Sequence, residues 1–229
     1  MNRTYRRHDV VWLTESSCHD VAESMRTSTA AGAARMAAVF AMGEIPGIIR
    51  RSAPCDGSGI GIGVSFPLFE EGSRLRFATS VAAESIRAMQ TPCDIIDLPF
   101  DTSIKPLQVL ADIKQTLPEW RGAIGVFGAS ALQIVTRLPY LHEDSDIDLV
   151  FNGGSPDALL EAHRALQEHE SRSGVRIDAE VIAGRRFGIK LCELFRNQKT
   201  VLAKTINSVE VLDRNEVLGL LEAVWQSAM

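Results

Sequence analysis

The most regular hydrophobic pattern in the chain is a strict alternation. In G-V-R-I-D-A-E-V-I (174–182) polar and apolar residues take turns, the period of a half-buried strand. Asp178 and Glu180 therefore share one face, opposite Val175, Ile177 and Val181. A-I-G-V-F (123–127) and I-D-L-V-F (147–151) read as short apolar strands. R-L-R-F-A-T-S-V (74–81) reads as another, and His8 to Leu13 as a first strand or its approach. Ile48 and Ile49 lead into Arg50-Arg51. The run G-S-G-I-G-I-G-V-S-F-P-L-F (57–69) has neither the spacing nor the following helix of a dinucleotide turn and predicts a glycine-rich strand pair.

Helical spacing occurs elsewhere. Leu107, Val109, Leu110, Ile113 and Leu117 predict a helix from Pro106 to Leu117, stopped by Pro118. Asp20 to about Met42 is Ala- and Met-rich and predicts one helix ended by G-E-I-P-G. Ser130 to Leu138 predicts a short helix, Phe187 to Arg196 another, and Arg214 to Trp225 a last one. Ser155-Pro156 supply an N-cap and first-turn proline for a helix over 157–169. T-P-C-D-I-I-D-L-P-F (91–100) reads as a turn and apolar segment. The second half alternates strand and helix, so the fold class is α/β, or α+β, with a boundary near residues 100–120. We take 1–115 as a smaller N-terminal domain and 116–229 as the main one.

Composition narrows the function without naming it. With 229 residues, 45% hydrophobic and 23% charged, the chain has the make-up of a globular protein. Its net charge of -5 gives no global grip on nucleic acid, which is not an expected partner. No apolar run reaches the ~18 residues of a membrane span, and V-V-W-L (10–13) is too short for a secretory core. Cys18, Cys55, Cys93 and Cys192 are scattered without C-x-x-C spacing, which argues against a zinc site or a disulfide framework. A cytoplasmic protein is expected.

The chemistry concentrates between residues 125 and 150, which read G-V-F-G-A-S-A-L-Q-I-V-T-R-L-P-Y-L-H-E-D-S-D-I-D-L-V. Asp146 and Asp148 stand one residue apart at the head of an apolar strand, so both carboxylates point the same way. Paired hard-anion ligands on a rigid face suit two Mg²⁺ ions. The Gly128 turn feeds a helix N-terminus, whose N–H groups can meet a phosphate. Asp178 would complete a three-carboxylate cluster, with Glu180 its competitor for that role. Such a cluster needs cations, because like charges a few ångströms apart raise each other's pKa. One ion would acidify an attacking hydroxyl and the other would hold a departing polyphosphate.

Other positions carry weaker signals. Arg50 and Arg51 suit bidentate phosphate recognition, and Lys204 could reach phosphate from a neighbouring element. Arg185, Arg186 and Lys190 form a basic cluster, read as a solvated face or a dock for an acidic carrier protein. His8 reads as a packed or capping histidine, and His142 as a loop residue.

The Gly turn, helix, Asp-x-Asp strand and later third acid over residues 121–182 resemble the DNA-polymerase-β-type nucleotidyltransferase superfamily. A closer resemblance covers most of the chain: R-H-D-V-V-W-L (7–13), I-P-G-I-I-R-R (45–51), A-L-Q (131–133) after Gly128, L-P-Y-L (138–141), S-D-I-D-L (145–149), R-I-D-x-E (176–180) and V-L-A-K (201–204). These segments are similar to the holo-acyl-carrier-protein synthase of malonate decarboxylase, a phosphoribosyl-dephospho-CoA transferase family. The resemblance implies a nucleotidyltransferase-like mixed sheet behind a small N-terminal domain. It implies a triphosphoribosyl-dephospho-CoA donor, a serine of the apo acyl-carrier subunit as acceptor, and diphosphate as product. Asp146, Asp148 and Asp178 would be the catalytic metal ligands for two Mg²⁺, with Asp178 a ligand or a general base, and Gly128 would line the polyphosphate. The superfamily's glycine is usually followed at once by serine. Here Ala129 follows, so either Ser130 binds phosphate from the next position or backbone N–H groups do that job. The same acids fit an ATP-using small-molecule nucleotidyltransferase, and the altered turn fits a silent carrier- or nucleotide-binding module.

Overall fold

A computed structural model describes residues 4–53, 57–117, 120 and 123–226. Pro118, the expected helix stop, and Cys55 lie outside them. The chain forms two compact units, Met1–Thr91 with Thr136–Tyr140, and Pro92–Val135 with Leu141–Met229.

The first unit is built on a five-stranded antiparallel sheet in the order β4-β3-β2-β1-β5. Its strands are β1 (Val10–Leu13), β2 (Gly47–Ile49), β3 (Ile60–Glu70), β4 (Ser73–Val81) and β5 (Ile86–Gln90). The glycine-rich run is one long strand, not a pair. Its partner β4 follows a two-residue turn in which Glu71 and Gly72 both have positive φ, the twist that matches a hairpin. The expected single helix over 20–42 is two, α1 (Glu15–Arg26) and α2 (Ala33–Phe40). Thr27 and Ser28 turn their hydroxyls back onto the carbonyls of Glu23 and Met25, ending α1. Gly32 at φ 64 then opens α2. Met25, Met36, Phe40, Ile62, Val64 and Phe66 form the core. Tyr140 belongs to this unit. It is fully buried, its Oη donates to the Ser65 carbonyl at 2.9 Å, and the Arg74 guanidinium lies over its ring.

The second unit holds a six-stranded sheet in the order β11-β10-β9-β8-β7-β6. These strands are β6 (Ile124–Phe127), β7 (Ile147–Phe151), β8 (Ile177–Ala183), β9 (Phe187–Lys190), β10 (Thr200–Lys204) and β11 (Val209–Asp213). Helices α3 (Pro92–Ile96), α4 (Lys105–Thr116), α5 (Gly128–Thr136), α6 (Pro156–Ser173), α7 (Leu191–Leu194) and α8 (Arg214–Gln226) complete it. Among the described residues only β7 and β8 pair in parallel. A parallel step needs a crossover, and α6 supplies it. The Ser155 hydroxyl accepts from the Ala158 N–H, Pro156 opens the first turn, and Gly174 at φ 71 closes the helix.

Two expectations change here. The segment 187–196 is not one helix: its first four residues form β9, paired with β8 across a turn in which Gly184 and Arg185 have positive φ. Pairing with a neighbouring strand overrides the local helical spacing. The expected division after residue 115 leaves α3 and α4 with the first unit, yet both pack in the second, α3 on β6 and α4 on α6. Gly125 is what lets α3 approach, since a Cβ there would lie 2.6 Å from the Pro92 side chain.

Directly paired residues share a face of the sheet. One face carries Ile147, Leu149, Phe151, Ala179, Val181, Ile189, Val201 and Ala203, all buried. The other carries Asp148, Asp178, Glu180, Lys190 and Lys204. The mixed α and β architecture agrees with the fold class read from the sequence.

Candidate active site

The site is assembled from strand ends. β6 stops at Phe127, and Gly128 at φ 65 turns the chain into α5. A Cβ at Gly128 would sit 2.0 Å from Asp148 Oδ2, so the carboxylate occupies the space a side chain would fill. In the parallel ladder Asp148 is paired with Asp178, and Val150 with Glu180. Asp146 lies one residue before β7. Three of the four acids have basic partners. Asp146 Oδ2 accepts from Arg176 at 2.8 Å, Asp178 Oδ2 meets Lys190 Nζ at 2.5 Å, and Glu180 Oε1 meets Lys204 Nζ at 2.8 Å.

Asp148 differs from its neighbours. Among the described residues it makes no hydrogen bond or ion pair. Burial, and then the charges of Asp146, Asp178 and Glu180, push its pKa up to about 7, with Lys190 opposing. A carboxylate raised in this way, without a donor of its own, favours a cation. The all-oxygen donor set of Asp146, Asp148 and Asp178 suits a hard divalent ion. As the side chains stand, no three His, Cys, Asp or Glu residues among those described surround a single metal position. Arg176 and Lys190 hold Asp146 and Asp178 instead, and the Asp178 hydrogen bond keeps Lys190 firmly protonated.

The other predicted residues separate. Lys204 joins the cluster, held by Glu180, which is only 3% exposed. Ser130 does not face outward: it is 1% exposed in α5, and its hydroxyl finds no partner. Arg50 belongs to the first unit, where its guanidinium donates to the carbonyls of Ile62, Arg51 and Thr79. Arg51 is exposed in the same unit. His142 is an exposed loop residue and His8 is half-buried at φ 75, its ring near the Arg7 guanidinium. Arg186 pairs with Glu210 and covers the Phe187 ring.

Arg176 and Lys190 are the residues that sequence reasoning missed as members of the site. The two-residue period that joins Asp178 to Glu180 also includes Arg176. Lys190 carried no such signal, because its segment reads as helix.

Family models decide the identity. Residues 95–215 match the model described as phosphoribosyl-dephospho-CoA transferase MdcG C-terminal domain, and residues 6–92 match its N-terminal domain. The chain belongs to the phosphoribosyl-dephospho-CoA transferase family. It is a transferase. The N-terminal model ends at residue 92 and the C-terminal one begins at 95, close to the division of the units between Thr91 and Pro92. A phosphoribosyl-dephospho-CoA transferase of Xanthomonas campestris pv. campestris (strain 8004) is 27% identical over 212 residues, 91% of this chain and 94% of the relative. One from Klebsiella pneumoniae subsp. pneumoniae is 28% identical over 185 residues, covering 78% and 82%. One from Pseudomonas putida (strain GB-1) is 30% identical over 161 residues, covering 70% and 71%. No solved structure matches the chain. Among the described residues no helix is long and apolar enough to cross a membrane.

Proposed function

We propose that this transferase moves the phosphoribosyl-dephospho-CoA group from 2′-(5″-triphosphoribosyl)-3′-dephospho-CoA to a serine of the apo acyl-carrier subunit of malonate decarboxylase. The serine oxygen forms a bond to the α-phosphorus as the bond to the bridging oxygen breaks, and diphosphate departs in line. The observation that carries this reading is the Asp148 carboxylate, packed against Gly128 and left without a donor amid three further acids.

Asp146, Asp148 and Asp178 are the residues that would hold two Mg²⁺. When bound, such ions supply charge neutralisation of the polyphosphate and acidification of the attacking hydroxyl. The chain's own contribution is positional. β7 and β8 set Asp148 beside Asp178 in register. Gly128 leaves room for the Asp148 carboxylate and begins α5, whose first-turn N–H groups would be the backbone donors to a phosphate oxygen. Asp178 would also accept the serine proton.

The test is mass spectrometry of apo carrier protein incubated with enzyme, donor and Mg²⁺. A mass gain of one phosphoribosyl-dephospho-CoA group, lost in Asp146→Ala and Asp148→Ala proteins that keep wild-type circular dichroism, is expected. Unmodified carrier beside an acceptor labelled from ATP would overturn the proposed donor and acceptor. Near wild-type transfer by Asp148→Ala would overturn the metal assignment.

A further inference from the structure

The two lysines on the acid face hold different kinds of carboxylate. Lys204 is tied to Glu180, which is almost fully buried, so its ammonium serves a charge that cannot reach solvent. Lys190 is tied to Asp178, whose side chain is 31% exposed. Asp178 lies directly across the parallel ladder from Asp148, and Lys190 directly across the next ladder from Glu180. The Lys190 ammonium therefore occupies the acid face close to Asp148, where it opposes the rise in that residue's pKa. A cation held by Asp148 and Asp178 would compete with Lys190 for the Asp178 carboxylate.

We infer that Lys190 is an exchangeable cation of this site: it neutralises Asp178 in the metal-free protein and, once released, binds the polyphosphate of the donor. The inference rests on the two-metal reading above and adds a residue to it. Lys190 is the last residue of β9, paired with Glu180 just before α7, so its backbone is anchored while the side chain retains 33% exposure. Exchange thus needs side-chain rotation and no movement of the sheet. A single lysine then meets two needs, screening a carboxylate that would otherwise repel its neighbours and supplying a donor to a departing anion. Lys204 lacks that freedom, because moving it would strip a buried carboxylate of a cation.

The experiment is calorimetric titration of the full chain, wild type and Lys190→Met, with Mn²⁺ alone and then with inorganic diphosphate in excess Mg²⁺. Loss of the competing ammonium should tighten Mn²⁺ binding roughly tenfold, while diphosphate binding weakens by about the same factor, the scale of one ion-pair exchange at a half-exposed site. Opposite shifts are the signature, since a merely structural lysine would move both affinities down together. Lys190→Gln keeps a hydrogen-bond donor toward Asp178 without the charge and should show the same opposed shifts if Lys190→Met does not fold. Lys190→Arg should restore diphosphate binding. Wild type that binds both ligands beside a Lys190→Met protein with unchanged affinities would overturn the exchange and leave the two-metal reading standing. Parallel weakening of both ligands would also overturn it. Wild type that binds no Mn²⁺ would overturn the exchange together with that reading.

Discussion

Replacing Gly128 by alanine tests whether the glycine turn and Asp148 are one device. The substitution acts twice. At φ 65 an alanine pays the left-handed penalty of about 1–2 kcal/mol. Its Cβ would also lie 2.0 Å from Asp148 Oδ2, against ordinary contact beginning near 3.4 Å, so the carboxylate must retreat by more than an ångström. Overpacking of that kind typically costs about 1–3 kcal/mol. Together these predict a loss of about 2–5 kcal/mol and a fall in Tm of roughly 5–15 °C. A reacting group misplaced by about 1 Å loses on the order of a hundredfold in rate, so transfer to carrier protein should fall by at least that much. Thermal melts and single-turnover transfer on purified Gly128→Ala measure both. The cycle with Asp148→Ala isolates the contact: in that background Gly128→Ala should cost only the backbone part of about 1–2 kcal/mol. Equal costs in both backgrounds, or transfer within about threefold of wild type, would refute the reasoning.

Further outcomes follow from other contacts. Lys204→Met takes a cation from Glu180 and should destabilise by about 2–3 kcal/mol in urea melts, below the ~3–5 of a fully buried pair because Lys204 is 31% exposed; adding Glu180→Gln should recover most of it. His169 is buried, with Nε2 against Thr116 Oγ1 and Nδ1 facing the Arg172 guanidinium, and burial, then Arg172, hold its pKa below 6.5. Its folded form binds fewer protons than the unfolded chain across that window, so stability should drop as pH falls from 6.5 toward the lowered value. His163, lowered by burial and then Arg196, adds to the same slope, and His163→Gln/His169→Gln should flatten it in urea melts at stepped pH. Tyr140→Phe removes the bond to the Ser65 carbonyl and should cost about 0.5–1.5 kcal/mol; an unchanged melting curve would mean that the bond contributes nothing.

Where local chemistry decides, the sequence was readable. The apolar run of β7 was found at its observed bounds, because a short buried strand leaves a continuous hydrophobic signature. Ser155-Pro156 marked the start of α6 through capping preferences that act within one turn. The segment 187–196 reads as helix because Phe187, Leu191 and Leu194 fall at helical spacing, while the pairing that makes β9 depends on β8. The break between α1 and α2 was written in T-S-T-A-A-G but outweighed by the alanines around it. Ser130 looked available because it follows the glycine turn. Its burial depends on what packs against α5, which no local pattern reports.

The acids themselves belong to the sequence. Strand side chains alternate by covalent geometry, so Asp178 and Glu180 had to share a face, and the glycine before α5 was the residue able to turn without a Cβ. Which cation meets which acid was decided only by the fold. The parallel register that sets Asp148 beside Asp178, and the antiparallel one that sets Lys190 across from Glu180, arise from pairing between strands. No residue carries that information alone, because a strand's neighbour is chosen by the burial of whole faces and the reach of the α6 crossover.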